Sequence, residues 1–123
     1  MGGAGIGAYT LNNNTSGSYN TANGTFCLDT NTTGNFNTAV GYASLSDNIV
    51  GNYNTALGAG AISNDHDGCI LLGVDATATA DNQFVVGSAS TNAGTVYSGT
   101  IVPNYYWEVK INGVNYYIPL KTV

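Results

Sequence analysis

Charged residues are scarce in this sequence. Its 123 residues include two Lys and Arg, seven Asp and Glu and one His, so that 7% of the chain is charged, against about 25% in an ordinary globular domain. With two basic residues and a net charge of −5, the chain has too few cations to hold the phosphates of a nucleic acid. No apolar run approaches the roughly 18 residues of a membrane span. The sequence therefore predicts neither nucleic-acid binding nor membrane insertion.

Residues that bind metals are nearly absent as well. Cys27 and Cys69 are the only cysteines, and their spacing is not that of a metal site. His66, the only histidine, stands between Asp65 and Asp67. This trio either binds an ion weakly, with three copies forming a ring, or is simply solvated at a turn. We expect no metal, no cofactor and two free thiols.

The sequence also lacks a recognisable catalytic set. No nucleophile and base can be paired, and no two carboxylates have an obvious spacing for glycoside hydrolysis. Apart from Asp65 and Asp67, the acidic residues of the repeats are scattered among different repeats: Asp29, Asp47, Asp75 and Asp81. We therefore predict that the chain is not an enzyme.

What the sequence does contain is a tandem 17-residue repeat. Residues 17–24, 34–41 and 51–58 align without gaps, and further positions recur at the same period. Seventeen residues are too few for a helical hairpin repeat but suffice for one coil of a β-solenoid, with glycines at the turns. The glycine series is Gly7, Gly24, Gly41 and Gly58, and the aliphatic series is Leu11, Leu28, Leu45 and Ile62. The pattern predicts a β-solenoid as far as Gly68.

Stacked coils place equivalent residues above one another. We expect side-chain amides and hydroxyls to pair along these columns, and apolar side chains to form continuous columns of their own. The polar columns are Asn20/Asn37/Asn54 and Thr21/Thr38/Thr55; the apolar ones are Tyr19/Phe36/Tyr53 and Leu28/Leu45/Ile62. At roughly 4.8 Å per coil, Cys27 and Cys69 are too far apart to form a disulfide.

A single thin stack of coils buries too little apolar surface to offset the entropy of ordering its backbone. A second burial surface is therefore expected. Parallel self-association around a fibre axis supplies it, and the small residues Ala22, Ala39 and Ala56 permit close approach. We predict a homotrimer.

Beyond the 17-residue repeat the spacing changes. Gly73 and Gly87 are 14 residues apart, and residues 82–87 read Asn-Gln-Phe-Val-Val-Gly. This segment resembles the head repeat of YadA-like trimeric autotransporter adhesins, whose 14-residue unit ends in a motif close to Asn-Ser-Val-Ala-Ile-Gly; Gln83 replaces the Ser. The resemblance covers about residues 5–90 and implies a left-handed parallel β-roll in a trimer. The longer repeats with Asn-Thr-Ala look more like fibre proteins of phages and large viruses.

The C-terminal segment has a different pattern. Asn112-Gly113 lies between two alternating runs, which is the strongest short signal for a β-hairpin. A two-residue turn predicts four apolar pairs on one face: Ile111 with Val114, Val109 with Tyr116, Trp107 with Ile118, and Tyr105 with Leu120.

The hairpin has two alternative roles. It either only caps a trimer, or it also contacts a receptor or glycan through an aromatic outer face and the neighbouring loops. The candidate contact residues for the second role are Tyr106, Tyr117, Asn104 and Asn115.

Taken together, the sequence predicts an all-β, left-handed parallel β-roll or solenoid with 17- and then 14-residue coils, homotrimeric and capped by a C-terminal β-hairpin. Residues 1–88 form the roll, 89–100 a connecting segment and 101–123 the hairpin. The predicted function is a structural and attachment module of a fibre or adhesin, outside the cell or on a virion, that binds a host-cell glycan or surface protein. The alternative is an ice-binding solenoid that uses its Thr and Asn ladders. Because the chain enters its repeat part-way through, we expect a fragment of a longer protein.

Overall fold

The computed structural model describes residues 2–87 and, in the C-terminal region, residues 106–111 and 114–119. The chain divides into two compact units, Met1–Ala93 and Gly94–Val123. In the described residues every regular element is a β-strand, and no helix is long and apolar enough to cross a membrane. The strands are β1 (Gly2–Ile6), β2 (Ser18–Asn23), β3 (Thr38–Val40), β4 (Thr55–Leu57), β5 (Ile70–Leu72), β6 (Phe84–Val86), β7 (Tyr106–Ile111) and β8 (Val114–Pro119).

The first unit is a parallel β-solenoid. Strands β1 to β6 form one parallel sheet in sequence order, so that the chain makes about five turns. Each turn returns a short strand to lie beside the previous one, and the intervening residues form the other walls. The predicted parallel β-solenoid is therefore confirmed.

The register of the sheet changes along the stack. Thr21 pairs with Thr38 and Thr38 with Thr55, each seventeen residues further on. Thr55 then pairs with Ile70, fifteen residues on, and Ile70 with Phe84, fourteen residues on. The step of fifteen residues was not predicted from the sequence.

Alternation along the strands decides which side chains enter the solenoid. Ala22, Ala39 and Ala56 are fully buried inside it, whereas the threonines that precede them point outwards. The prediction that these alanines permit close approach between subunits is therefore wrong. In a strand successive side chains point to opposite faces, and the small alanines allow the sheet to approach the opposite wall of its own coil.

The interior is partly apolar and partly polar. Leu28, Leu45 and Leu71 are fully buried in its apolar core, and Leu11 packs against it. Cys27 and Cys69 are buried free thiols, as predicted. The buried polar side chains include five asparagines: Asn20, Asn31, Asn37, Asn48 and Asn54.

Left-handed backbone conformations shape the turns. The aromatic column Tyr19, Phe36 and Tyr53 has φ near 60°, a conformation that is uncommon for any residue other than glycine. At Gly41 φ is 134°, and an added Cβ would lie 2.7 Å from the backbone carbonyl of Gly58 in the next coil. Glycine is therefore required at this point of closest approach between coils.

The second unit contains an antiparallel hairpin of β7 and β8. Trp107 pairs with Ile118, Val109 with Tyr116 and Ile111 with Val114. These are three of the four pairs predicted from the alternating pattern. The fourth pair, Tyr105 with Leu120, lies outside the described residues.

Candidate functional site

The outward face of the parallel sheet exposes a set of apolar side chains from neighbouring strands. Two neighbouring columns form it, and both become more apolar from β2 towards β6. The exposed or half-exposed side chains that we call the apolar sheet face are Val40, Leu57, Leu72, Val86, Ile70 and Phe84. A monomeric protein rarely exposes so many apolar side chains in one patch, which is typical of an interaction surface.

An aromatic ladder lies beside this face. The rings of Tyr19 and Phe36 stack with centroids 4.8 Å apart and planes 11° apart, and those of Phe36 and Tyr53 stack at 5.2 Å and 4°. The spacing matches the distance between neighbouring strands, because each coil contributes one ring at the same place. All three rings are exposed, so this predicted apolar column forms on the surface and not in the core.

A second aromatic cluster lies in the turns that follow the strands. Tyr9 and Phe26 stack at 5.1 Å, and Tyr42 meets Phe26 edge to face at 5.9 Å. Tyr9 and Phe26 occupy the same position in successive coils. Ala43 and Gly60 occupy that position in the next two coils, so this column carries no further ring. This cluster is short, and Phe26 in its centre is half-buried.

The Asn20/Asn37/Asn54 column forms hydrogen bonds of a different kind from those predicted. Asn37 Nδ2 donates to Gly51 O at 2.8 Å, and Asn37 Oδ1 accepts the backbone N–H of Asn54 at 3.0 Å. The amides therefore pair with the backbone and not with one another. Each of these side chains reaches a carbonyl and an N–H of the following coil, and leaving those groups unpaired in a dry interior is costly.

Amide-to-amide pairing occurs in another column. Asn31 Nδ2 donates to Asn14 Oδ1 at 2.8 Å, and Asn48 Nδ2 donates to Asn31 Oδ1 at 3.0 Å. Ser63 Oγ ends this column by donating to Asn48 Oδ1 at 2.9 Å. The Thr21/Thr38/Thr55 column forms an exposed row on the sheet.

The aspartates around His66 act as backbone acceptors. Asp65 Oδ1 accepts the N–H groups of Ile49 and Val50, the latter at 3.0 Å, and Asp67 Oδ1 accepts that of Asn52 at 2.6 Å. Among the described residues no group of three His, Cys, Asp or Glu side chains is placed to hold a metal ion. The two aspartates of the trio therefore form hydrogen bonds to the preceding coil.

His66 itself contacts a different aspartate. Its Nδ1 lies 3.0 Å from Asp81 Oδ1, which also accepts the N–H of Asp67 at 3.1 Å. The backbone hydrogen bond from Asp67, followed by that from His66, holds the pKa of Asp81 below its ordinary value. Asp81 is thus an ionised acceptor at neutral pH.

Two other titratable groups are disfavoured in their charged forms. Burial raises the pKa of the Cys27 thiol to about 11, although a backbone hydrogen bond from Asn23 opposes the shift. A buried thiol with this pKa stays protonated and is a poor nucleophile. Burial likewise raises the pKa of Asp47, whose Oδ2 accepts the N–H of Asn64 at 2.6 Å and whose Oδ1 has no partner.

The proposed contact residues of the hairpin are only partly described. Tyr106 begins β7, and Asn115 and Tyr117 lie in β8, where their register partners are Lys110 and Glu108. Asn104 lies outside the described residues. The role of these four residues stays a prediction.

Comparison with protein-family models, curated proteins and solved structures found no match to this chain. The site must therefore be interpreted from its own chemistry. The apolar sheet face is what sequence reasoning missed. Its signal was present in the strands Thr-Ala-Val, Thr-Ala-Leu and Ile-Leu-Leu, whose first and third residues share the outward face.

Proposed function

We propose that this chain is a non-enzymatic structural and attachment module of a trimeric fibre or adhesin. The observation that carries the proposal is the apolar sheet face, which runs along the stack in a chain with very few charges. Three copies that turn this face towards a common axis remove it from water. In its full form the proposal is a left-handed roll of 17- and then 14-residue coils, as in YadA-like adhesin heads, with the hairpin as a cap.

The repeat explains why such an assembly would be parallel. Each coil presents its outward residues at the same place, so parallel copies meet with the same geometry at every level. Leu57, for example, follows Val40 and precedes Leu72 in one column. An antiparallel arrangement would instead set the apolar end near β6 against the more polar end near β2, where Thr21 and Asn23 point outwards.

Attachment is assigned to the distal end in this proposal. A stiff trimer presents three identical surfaces, so that weak contacts combine into strong avidity. The hairpin supplies the candidate contacts Tyr106, Tyr117, Asn104 and Asn115, and the partner is a host-cell glycan or surface protein. The module works outside a cell or on a virion.

A pair of charge substitutions tests the assembly. Leu57→Lys places a charge in the middle of the apolar sheet face, and Tyr42→Lys places the same charge on another surface. Both side chains are similarly exposed in one chain, at 56% and 61%, so neither substitution should unfold the solenoid. Light scattering of the full chain should show that Leu57→Lys dissociates the trimer and that Tyr42→Lys does not. Equal masses for the two variants, with unchanged circular dichroism, would contradict the proposal.

The exposed threonine row favours ice binding as a second candidate. Thr21, Thr38 and Thr55 lie side by side on neighbouring strands of the parallel sheet, and a regular row of hydroxyls is a surface that can order water. The same column continues with Ile70 and Phe84, so the row of hydroxyls is three residues long and one column wide. Thermal hysteresis in a solution of the full chain would support this candidate, and its absence would remove it.

A further inference from the structure

The aromatic ladder is interrupted one coil after Tyr53. Gly68 takes the next position in this column: its N–H donates to Asn52 O at 2.9 Å, as the N–H of Tyr53 donates to Asn35 O at 3.0 Å. The backbone angle is also similar, with φ of 69° at Gly68 and 59° at Tyr53. Gly68 therefore occupies the place of a ring but has no side chain.

The interruption leaves one face of the Tyr53 ring open. Phe36 is covered by a ring on each side and is 47% exposed, whereas Tyr53 is covered only by Phe36 and is 65% exposed. The opening lies within the stack of coils and not at its end, because β5 and β6 both follow it. It lies outside the three-residue strands that form the apolar sheet face.

Asn82 forms the far side of the opening. Its φ of 59° and the hydrogen bond from its N–H to Asp67 O at 2.8 Å place it at the next position of the same column. The backbones of Tyr53 and Asn82 are two strand spacings apart, or roughly 9.5 Å, and the Asn82 side chain enters the inner part of the space between them. A Cβ at Gly68 would lie 2.5 Å from Asn82 Oδ1, so the amide leans over the glycine and forms the floor.

The polar groups around the opening have free hydrogen-bonding capacity. Within the described part of the chain, the Asn82 amide makes no hydrogen bond. Asp67 uses Oδ1 to accept from Asn52 N and Nδ2, and its Oδ2 accepts no hydrogen bond from a described residue. The open face of the Tyr53 ring is therefore bordered by the Asn82 amide, which can both donate and accept hydrogen bonds, and by Asp67 Oδ2, which can accept them.

We propose that this opening, which we call the Tyr53–Asn82 gap, binds one pyranose ring of a neutral glycan. The C–H face of a sugar packs against the negative face of an aromatic ring, and neighbouring hydroxyls donate to Asp67 and exchange hydrogen bonds with the Asn82 amide. The site is additional to the hairpin and does not require the trimer. A single ring held in this way binds weakly, with a Kd of roughly 1 mM.

A variant that completes the ladder tests the proposal. Gly68→Tyr places a ring in the gap, at a position where the column already carries Tyr19, Phe36 and Tyr53 with the same φ. Gly60→Tyr is the matched control: its φ is 64°, its added Cβ would meet the carboxylate of Asp75, and it belongs to a different column. Asn82→Ala removes the amide of an exposed side chain. This second variant tests the proposal if Gly68→Tyr does not fold.

The measurement is binding of the full chain to immobilised neutral, N-acetylated and sialylated oligosaccharides at low and high salt. Wild type and Gly60→Tyr should bind a neutral glycan independently of salt, and Gly68→Tyr and Asn82→Ala should bind it at least tenfold more weakly. The proposal is overturned if wild type binds no neutral glycan, if binding survives Gly68→Tyr, or if binding requires a charged sugar and disappears in high salt.

A hairpin variant separates this site from the attachment surface proposed above. If Tyr106→Ala/Tyr117→Ala loses binding while Gly68→Tyr keeps it, the gap is not the site and the hairpin is. If the reverse holds, the gap is the site. The mass of the assembly, which neither result affects, tests the trimer independently.

Discussion

At the scale of single residues, the buried asparagines are what make this solenoid possible with so small an apolar core. Each amide in the Asn20/Asn37/Asn54 column satisfies a backbone N–H and a backbone carbonyl of the following coil. Asparagine is suited to this position because one short side chain carries both a donor and an acceptor. The column can therefore be regarded as a continuation of the backbone hydrogen bonding into the interior.

The first prediction concerns the middle of this column. Asn37→Ala leaves the N–H of Asn54 without a partner in a dry interior and leaves Gly51 O with the Asn48 amide alone, so we expect a loss of about 1–3 kcal/mol in the free energy of unfolding. Asn35→Ala is the control, because Asn35 makes similar hydrogen bonds but is half-exposed, and water can replace them. Urea unfolding at one protein concentration measures both. Similar losses for the two variants would contradict the role assigned to the buried column.

Two aspartates respond to pH in opposite directions. Burial raises the pKa of Asp47 above 3.8, so its contribution favours folding in acid and is lost as the pH rises through the folded-state pKa. Hydrogen bonds from Asp67 and His66 lower the pKa of Asp81 below 3.8. Its contribution is therefore present above 3.8 and is lost as the pH falls through its folded-state value.

The second prediction follows from these signs. At pH 7 Asp47→Asn should raise the free energy of unfolding by about 0.5 kcal/mol, a small gain because water screens a partly exposed charge. Asp81→Asn should lower it. As the pH falls, the effect of Asp47→Asn should diminish through the raised folded-state pKa of Asp47 and be gone below about 3.8, whereas the effect of Asp81→Asn should begin to diminish only below 3.8. Asp29→Asn controls for net charge. Urea unfolding from pH 7 to pH 3 measures these effects. If Asp47→Asn lowers the free energy of unfolding at pH 7, the charge of the buried Asp47 does not destabilise the fold, and the prediction is wrong.

At the scale of elements, the main feature is the shorter register step between β4 and β5. In the earlier coils, Thr32 O accepts the N–H groups of Thr15 and Ser16, and Ile49 O accepts those of Thr32 and Thr33. The next coil is two residues shorter and offers no such carbonyl. The carboxylate of Asp65 takes its place and accepts from Ile49 and Val50, much as an N-cap side chain does for a helix.

The third prediction tests this substitution of a side chain for the backbone. Asp65→Ala should cost about 1 kcal/mol, the usual loss when a capping acceptor is removed, and faster amide exchange should be confined to Ile49 and Val50. Asp65→Asn keeps an acceptor oxygen and should retain most of the stability. Hydrogen exchange followed by NMR distinguishes a local effect from a global one. Unchanged exchange at both amides in Asp65→Ala would mean that the carboxylate does not hold them.

The elements also show what sequence alone can and cannot predict. The columns, the parallel solenoid and the hairpin register followed from the 17-residue period and the Asn-Gly turn, because both encode local geometry. The direction of Ala39 and the fifteen-residue step did not follow. Period alone does not say which face of a strand is inside. Gly68 lies seventeen residues after Gly51, so the period predicts that the two glycines are equivalent. In the structure Gly68 is equivalent to Tyr53 instead, because the coil is two residues shorter at the Asp65 turn.

At the scale of the whole molecule, the important contrast is between a partly polar interior and an apolar exterior face. Asparagines fill part of the inside, whereas Leu57, Ile70 and Phe84 are more than two-fifths exposed on the sheet. This distribution suits a subunit that completes its burial by association. It also explains why the candidate site was harder to predict than the fold: the candidate surface is defined by the side chains that one chain leaves uncovered.

The most direct test of the account is the mass of the intact chain in solution. Sedimentation equilibrium of the unmodified full chain, over a range of dilutions, should give three times the chain mass of 12.6 kDa. Such a mass, lost on Leu57→Lys, would establish that the apolar sheet face is the interface of a trimeric module. A mass of 12.6 kDa at every concentration would contradict the central claim.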